Sequence, residues 1–279
     1  MRAAVVGHVE WVDFLRVDRL PDAGDIVHVT DSWSEPGGGG AVAAVQLQKL
    51  TGDAVFFTAL GDDELGHRAL AELRKLELRV EAVFRPEPTR RAITHVDSSG
   101  ERTITVVGSR LAPRGDDPLP WDELDHINAL YFTAGDVAAL RHARRARVVV
   151  ATSRILGLLQ DAQVQLDAIV GSAADPAEAY EHGDLEPAPS LVVRTMGDDG
   201  GTLQVGTGPA RRYRAEPPPG PIADRYGAGD SFAAALAWSI ADGNAPDVAV
   251  ALSARCGAAV VTGRGPYEAQ LTKAAFESS

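Results

Sequence analysis

Cysteine is almost missing from the chain. One residue, Cys256, stands among 279, so no internal disulfide can form and a reducing cytoplasm is the expected compartment. Cys256 lies in the apolar stretch "SARCGAAVV", where a small core side chain is the expected role rather than a nucleophile. Positive charge is also short. Lys and Arg total 27 against 39 Asp and Glu, a net charge of −12, which speaks against a general nucleic-acid partner. No apolar run has the length of a membrane span, so no membrane partner is expected. The opening "MRAAVVGHVEW" has too short an apolar core for a signal peptide and reads as a first strand. None of the 7 histidines stands in a metal-ligand spacing such as H-E-x-x-H, and no Cys cluster exists. No G-x-S-x-G marks a hydrolase elbow.

What remains is a globular composition, 45% hydrophobic and 24% charged, with ample material for a core. Short apolar runs recur at 3–7, 54–60, 129–135, 146–152, 166–172 and 190–197. Each ends in small or polar residues, as buried parallel strands do. Helical spacing lies between several of them, as in 64–76, where Leu65, Ala69, Leu70, Leu73 and Leu76 share a side. This alternation predicts a doubly wound, mostly parallel α/β sheet flanked by helices, with ligands at the carboxyl ends of its strands. Two segments break the rhythm. "RAITHVDSSGERTITVV" (91–107) reads as a β-hairpin, and "DIVHVTDSW" (25–33) as another alternating strand. Together they predict a small second sheet, a lid built from about 14–34 and 88–110 on a single domain spanning 1–279.

Glycine carries the chemistry. "YGAGDSFAAALAWSIADG" (226–243) opens a helix with Gly227, Ala228 and Gly229, then places Asp230 at its start. Backbone N–H groups at a helix N-terminus lack partners and carry partial positive charge, and glycine lets a ligand approach them. Asp230 suits proton handling beside such an anion hole. The competing reading is a carboxylate favoured by the helix dipole alone. "EPGGGGAVAAVQLQKL" (35–50) precedes a second small-residue helix but lacks the Gly-Lys-Ser/Thr ending of a Walker loop. Gly38, Gly40 and Ala43 match a dinucleotide fingerprint, yet "DSWSEP" stands where that motif needs a buried strand, which disfavours an oxidoreductase. Asp13, in "GHVEWVDF", could accept hydrogen bonds from two hydroxyls of a sugar or serve as a loop cap. "RTMGDDGG" (194–201) follows a predicted strand and is a candidate nucleotide wall.

The ordered set is specific. Gly7, Asp13, Leu20-Pro21, Gly24-Asp25, Gly38-Gly39, the Leu60-Gly61-Asp62-Asp63 run with Gly66, Gly100-Glu101-Arg102, Thr195-x-Gly197-x-x-Gly200 and Gly227-Ala228-Gly229-Asp230 together resemble the ribokinase-like (PfkB) carbohydrate kinases, from Gly7 to about Gly265. The resemblance implies an α/β domain with a β-sheet lid, and transfer of the γ-phosphoryl group of ATP to a sugar or nucleoside hydroxyl with magnesium. It makes Asp230 the base and 227–229 the anion hole. Asp13, Gly38, Gly39 and Arg154 match acceptor-side positions, and Thr195, Gly197 and Gly200 the nucleotide side. Asp175 matches a magnesium-linked position, and Asp224 one near a monovalent-cation site. Four departures stand out. Ser172 and Asp175 replace an Asn-x-x-Glu, Val42 replaces an Asn, Val150-Ala151-Thr152 replaces Asp-Pro-Asn, and Arg225-Tyr226 replaces Thr-Thr. Ser172 and Asp175 could instead cap a helix beginning near Pro176. A non-catalytic metabolite-binding protein on the same fold is therefore the second expectation. A lid with open strand edges further predicts a homodimer formed through it.

Overall fold

The computed structural model describes residues 1–277. Its strands, in chain order, are β1 (Ala3–Val6), β2 (Glu10–Arg16), β3 (Asp31–Gly37), β4 (Ala54–Gly61), β5 (Arg79–Arg85), β6 (Arg91–Val96) and β7 (Arg102–Val107). They continue as β8 (Ala129–Phe132), β9 (Val148–Thr152), β10 (Ala168–Ser172), β11 (Leu191–Thr195), β12 (Gly201–Val205) and β13 (Arg211–Tyr213). The helices are α1 (Gly39–Thr51), α2 (Glu64–Lys75), α3 (Val137–Ala143), α4 (Leu156–Ala162), α5 (Ala228–Ala241), α6 (Pro246–Val260) and α7 (Ala274–Glu277).

Nine strands form the large sheet in the order β13-β12-β11-β10-β9-β8-β1-β4-β5. All its pairs are parallel except β11 with β12 and β12 with β13. β1 shows why both faces must be covered. Ala3 and Val5 join the core beneath α1 and α5, while Ala4 and Val6 join the opposite core with Trp121, Leu140 and Leu159. The alternation follows from the two-residue period of a strand. Helices α1 and α5 are buried nearly all round, and Ala41, Ala43, Ala44, Ala233, Ala234 and Ala235 are almost fully enclosed. Small side chains let these helices lie close to each other and to the sheet, which brings their N-termini together.

The second sheet has the order β3-β2-β6-β7. Val12, Phe14, Ala92, Thr94 and Val96 form its buried face. The hairpin expected at 91–107 is β6 and β7. The strand expected at 25–33 lies elsewhere: β3 runs Asp31–Gly37, and 25–29 form no strand, with Ile26 89% exposed. Alternation alone there had no partner strand to receive it. The sheet also begins at Glu10 and returns through Gly37, so the lid is wider at both ends than 14–34.

Candidate active site

α5 starts where the chain turns through Gly227, whose φ of 85° is a left-handed conformation suited to glycine. No side chain caps this helix, so its first N–H groups are available to a ligand. α1 starts the same way, with Gly38 at φ 85° and no side-chain cap. The two starts meet. A Cβ on Gly39 would lie 2.7 Å from Asp230 Oδ1, so only glycine leaves that carboxylate its place. The Gly38 N–H donates to the Tyr226 hydroxyl at 2.8 Å, which fastens one glycine turn to the residue just before the other. Tyr226 is buried and packs edge-on to Phe14 of the small sheet. It was visible in the sequence only as a departure from Thr.

Asp230 lies partly open at the cleft between the sheets. Burial raises its pKa to about 6, and the nearby Glu178 carboxylate adds to the rise; Arg102 and Arg154 oppose it. On one side of Asp230 a cavity of about 130 Å³ is lined by Thr195, Gly197, Gly200, Ala228, Gly229 and Ala258. Residues far apart in the chain thus share one wall, and its small side chains suit a flat ring. Arg225 ties this wall to the lid. It pairs with Asp198 at 3.1 Å and with Glu101, at the hairpin tip, at 2.8 Å.

The other side of Asp230 is charged. Glu10 is buried beside Gly38, 3.0 Å from Arg90 and 3.6 Å from His8. Burial pushes Glu10 up, but His8 and Arg90 hold it below the usual carboxylate range. Burial, in turn, lowers His8. Sequence reasoning missed this group because its members are scattered, although Glu10 shares a two-residue period with Val12 and Phe14.

Asp13 requires a correction. A strand alternates its side chains, so Asp13 faces opposite to Glu10, Val12 and Phe14. Its carboxylate accepts from Ser34 at 2.6 Å and from Arg91 at 2.9 Å, on the outer face of the lid. It is turned away from Asp230 and does not serve as an acceptor contact in this arrangement.

Asp175 accepts the Ala177 N–H at 2.9 Å as the cap of a short turn, Pro176–Glu178. Its other oxygen accepts from Arg154 at 2.5 Å. The Ala177 amide, then Arg154, holds its carboxyl below the ordinary range. Glu178 accepts the Ser172 N–H at 2.7 Å and Arg154 at 2.6 Å. Of these two, Glu178 is the carboxylate whose charge reaches Asp230. Among the described residues no cluster of three or more His, Cys, Asp or Glu could hold a metal. Asp175 and Glu178 fit magnesium only through water, since each is already held by Arg154 and an amide. Asp224 is fully buried, and its Oδ1 accepts the Tyr226 N–H at 2.8 Å. Burial raises its pKa, and its Oδ2 makes no hydrogen bond of good geometry. No helix among the described residues is long and apolar enough to cross a membrane.

Comparison with known proteins agrees with this geometry. An ATP-dependent ribose-1-phosphate kinase of Halopiger xanaduensis is 29% identical, over 92% of this chain and 91% of the relative. A putative ribokinase from Agrobacterium tumefaciens superimposes with a TM-score of 0.81 at 19% identity, covering 99% of this chain and 96% of that one. Ribokinase from Arabidopsis thaliana, solved with ribose and ATP, gives 0.76 at 18% identity, covering 99% and 97%. The model of the pfkB family carbohydrate kinases matches residues 2–156 and 164–273. With that match over nearly the whole length, and with Asp230 seated between two glycine-opened helices, the chain belongs to the pfkB family of carbohydrate kinases and is an ATP-dependent kinase of small molecules.

Proposed function

We propose that Asp230 takes the proton from an acceptor hydroxyl while the amides of Gly227, Ala228 and Gly229 stabilise charge on the γ-phosphoryl group of ATP. The carrying observation is the place of this carboxylate, at the open start of α5, against the Gly38-Gly39 turn and next to Ala228 and Gly229, which line the small cavity shared with Thr195, Gly197 and Gly200. Phosphoryl transfer asks mainly for positioning and electrostatic stabilisation. A pKa near 6 leaves Asp230 ionised at neutral pH yet basic enough to accept a proton. Thr195, Gly197 and Gly200 seat the nucleotide, and Gly38 and Gly39 admit the acceptor to the carboxylate. Arg154 positions Asp175 and Glu178.

Magnesium, bound with the phosphates of ATP, supplies charge neutralisation, and Glu178 and Asp175 are the residues that would hold it through water. Asp224 is the residue placed to favour a monovalent cation nearby. A reducing cytoplasm suits Cys256, whose thiol burial pushes up to about 12. β7 is exposed along its whole length, with Ile104, Val106 and Val107 among its residues. Pairing of two such edges in a homodimer would cover them, and sedimentation at micromolar concentration would read a doubled mass.

The acceptor is a sugar or a nucleoside. ADP release measured with ATP, magnesium and a panel of free sugars, nucleosides and pentose monophosphates tests this. The monophosphates belong in the panel because the Halopiger relative is named for one. Acceptor-stimulated ADP release is the expected result. Hydrolysis that no acceptor stimulates would refute Asp230 as a base toward a hydroxyl.

A further inference from the structure

Most charges around Asp230 are matched. Arg90 is paired with Glu10, and Arg154 with Asp175 and Glu178. Arg110, on the segment returning from β7 to the main domain, is not. Among the described residues it makes no hydrogen bond and no ion pair, yet its guanidinium feels the charges of Arg90, Glu10, Arg154 and Asp230. The side chain is open to solvent on one side, but the protein around it, and next the like charge of Arg90, lowers its pKa. An arginine cannot shed its charge to relieve such crowding. It is therefore free to receive an anion from outside the chain.

Arg110 also lines a cavity of about 330 Å³, together with Arg85, Arg114, Glu87 and Asp136. Arg85 is paired there with Asp117 at 2.6 Å, and Asp136 accepts the amides of Gly115 and Ala139. This volume falls within the range of small-molecule sites. It shares no lining residue with the nucleotide cavity. Arg110 thus stands at the wall of this cavity and within electrostatic reach of Asp230, one an unmatched cation and the other the proposed base. A ligand spanning them has a hydroxyl at one end and an acid at the other.

We propose that the acceptor is a phosphorylated sugar, and that Arg110 receives its phosphate while Asp230 addresses its hydroxyl. A guanidinium fork matches two phosphate oxygens, and such charge-assisted bonds are the stronger kind. The alternative source of the same anion is the γ-phosphate of ATP, but Arg110 stands on the wall away from Thr195 and Gly200. This proposal rests on the kinase reading above.

The test compares wild type, Arg110→Gln and Arg110→Lys. Turnover is read with ribose, ribose 1-phosphate and ribose 5-phosphate, and calorimetry reads binding of each sugar without ATP. Wild type should favour one monophosphate over ribose by ~10- to 100-fold in kcat/KM, the worth of one charge-assisted contact. Arg110→Gln should abolish that preference by raising the acceptor KM, leaving the ATP KM within about twofold, and Arg110→Lys should restore part of it. Thermal melts check folding, which an exposed side chain endangers little. Equal use of ribose and its phosphates by wild type would overturn the proposal. So would a rise in the ATP KM alone, which assigns Arg110 to the nucleotide. Calorimetric binding of a monophosphate with no turnover would uphold the Arg110 site while refuting the kinase reading.

Discussion

The two sides of Asp230 are built from different materials. On the side proposed for the nucleotide, Thr195, Ala228, Gly229, Phe232 and Ala258 surround a small cavity, and the charges in its wall include the Arg225–Asp198 pair. On the side proposed for the acceptor, the wall is ionic: Glu10 with Arg90 and His8, Glu178 with Arg154, and the unmatched Arg110. The first side is suited to recognition by shape, since Arg225 and Asp198 on it are already paired with each other. The second holds fixed charges whose balance a ligand can complete. A residue on the shape side should therefore be sensitive to added volume, and one on the charged side to lost charge.

The largest effect falls on the residue the sides share. Asp230→Asn should lower kcat by ~10²- to 10⁴-fold, with ATP affinity within about twofold of wild type by calorimetry. It should also be more stable at pH 8. The folded pKa of about 6 exceeds the ordinary 3.8. The stabilisation from the protonated form is thus complete below the lower value and lost as pH rises through the higher one. The amide avoids that loss, on the order of 1–3 kcal/mol, seen as a Tm higher by several degrees. Unchanged turnover would leave Asp230 as a helix-start residue only.

Next comes Gly39→Ala, whose methyl would press on Asp230 Oδ1. A displaced carboxylate should cost ~10²-fold in kcat, with the ATP KM unmoved. A matching rise in the ATP KM would break the division between the two sides. The pH profile gives a smaller, graded effect. Only ionised Asp230 accepts a proton, so kcat/KM should fall about tenfold per pH unit below the pKa of about 6. In the Asp230→Asn variant the residual activity should lose this limb.

Gly229→Ala sharpens the comparison most finely. A Cβ there meets nothing within 4 Å, and the position is helical, so the chain itself does not require glycine. Stability should rise by about 0.4–1 kcal/mol, while the ATP KM rises about tenfold because the methyl occupies the ligand's approach. A more stable variant with normal ATP kinetics would remove Gly229 from the anion hole.

Much of this was legible in the sequence, and the failures have physical causes. The parallel strands of the large sheet are apolar on both faces, so runs such as "AVFFTAL" can hardly be read otherwise. The glycine turns announce themselves because a positive φ and a close approach both exclude side chains. Asp13 was misplaced because a lid strand is only half-buried, and a slip of one residue turns the carboxylate to the wrong face. β3 hid because Pro36 and Gly37 end it, while the alternation just before it in 25–29 has nothing to pair with. Arg90, Arg110 and Glu178 carry no local signature at all. Their meaning lies in which charges they meet, and the chain brings those from β2, the lid hairpin and the turn after β10.

Arg225 has one side chain and two commitments. It grips Asp198 in the nucleotide wall and Glu101 at the lid tip, and its backbone carbonyl accepts from Arg102 while its N–H donates to Gly100 O. Raising the lid would break contacts that also hold the wall proposed for ATP, which would couple the two substrates through a shared joint. Binding of either should sharpen affinity for the other, and by reciprocity the factor must be the same in both directions. An enzyme joined in this way should hold ATP loosely while its lid is up, and so should hydrolyse little of it while idle.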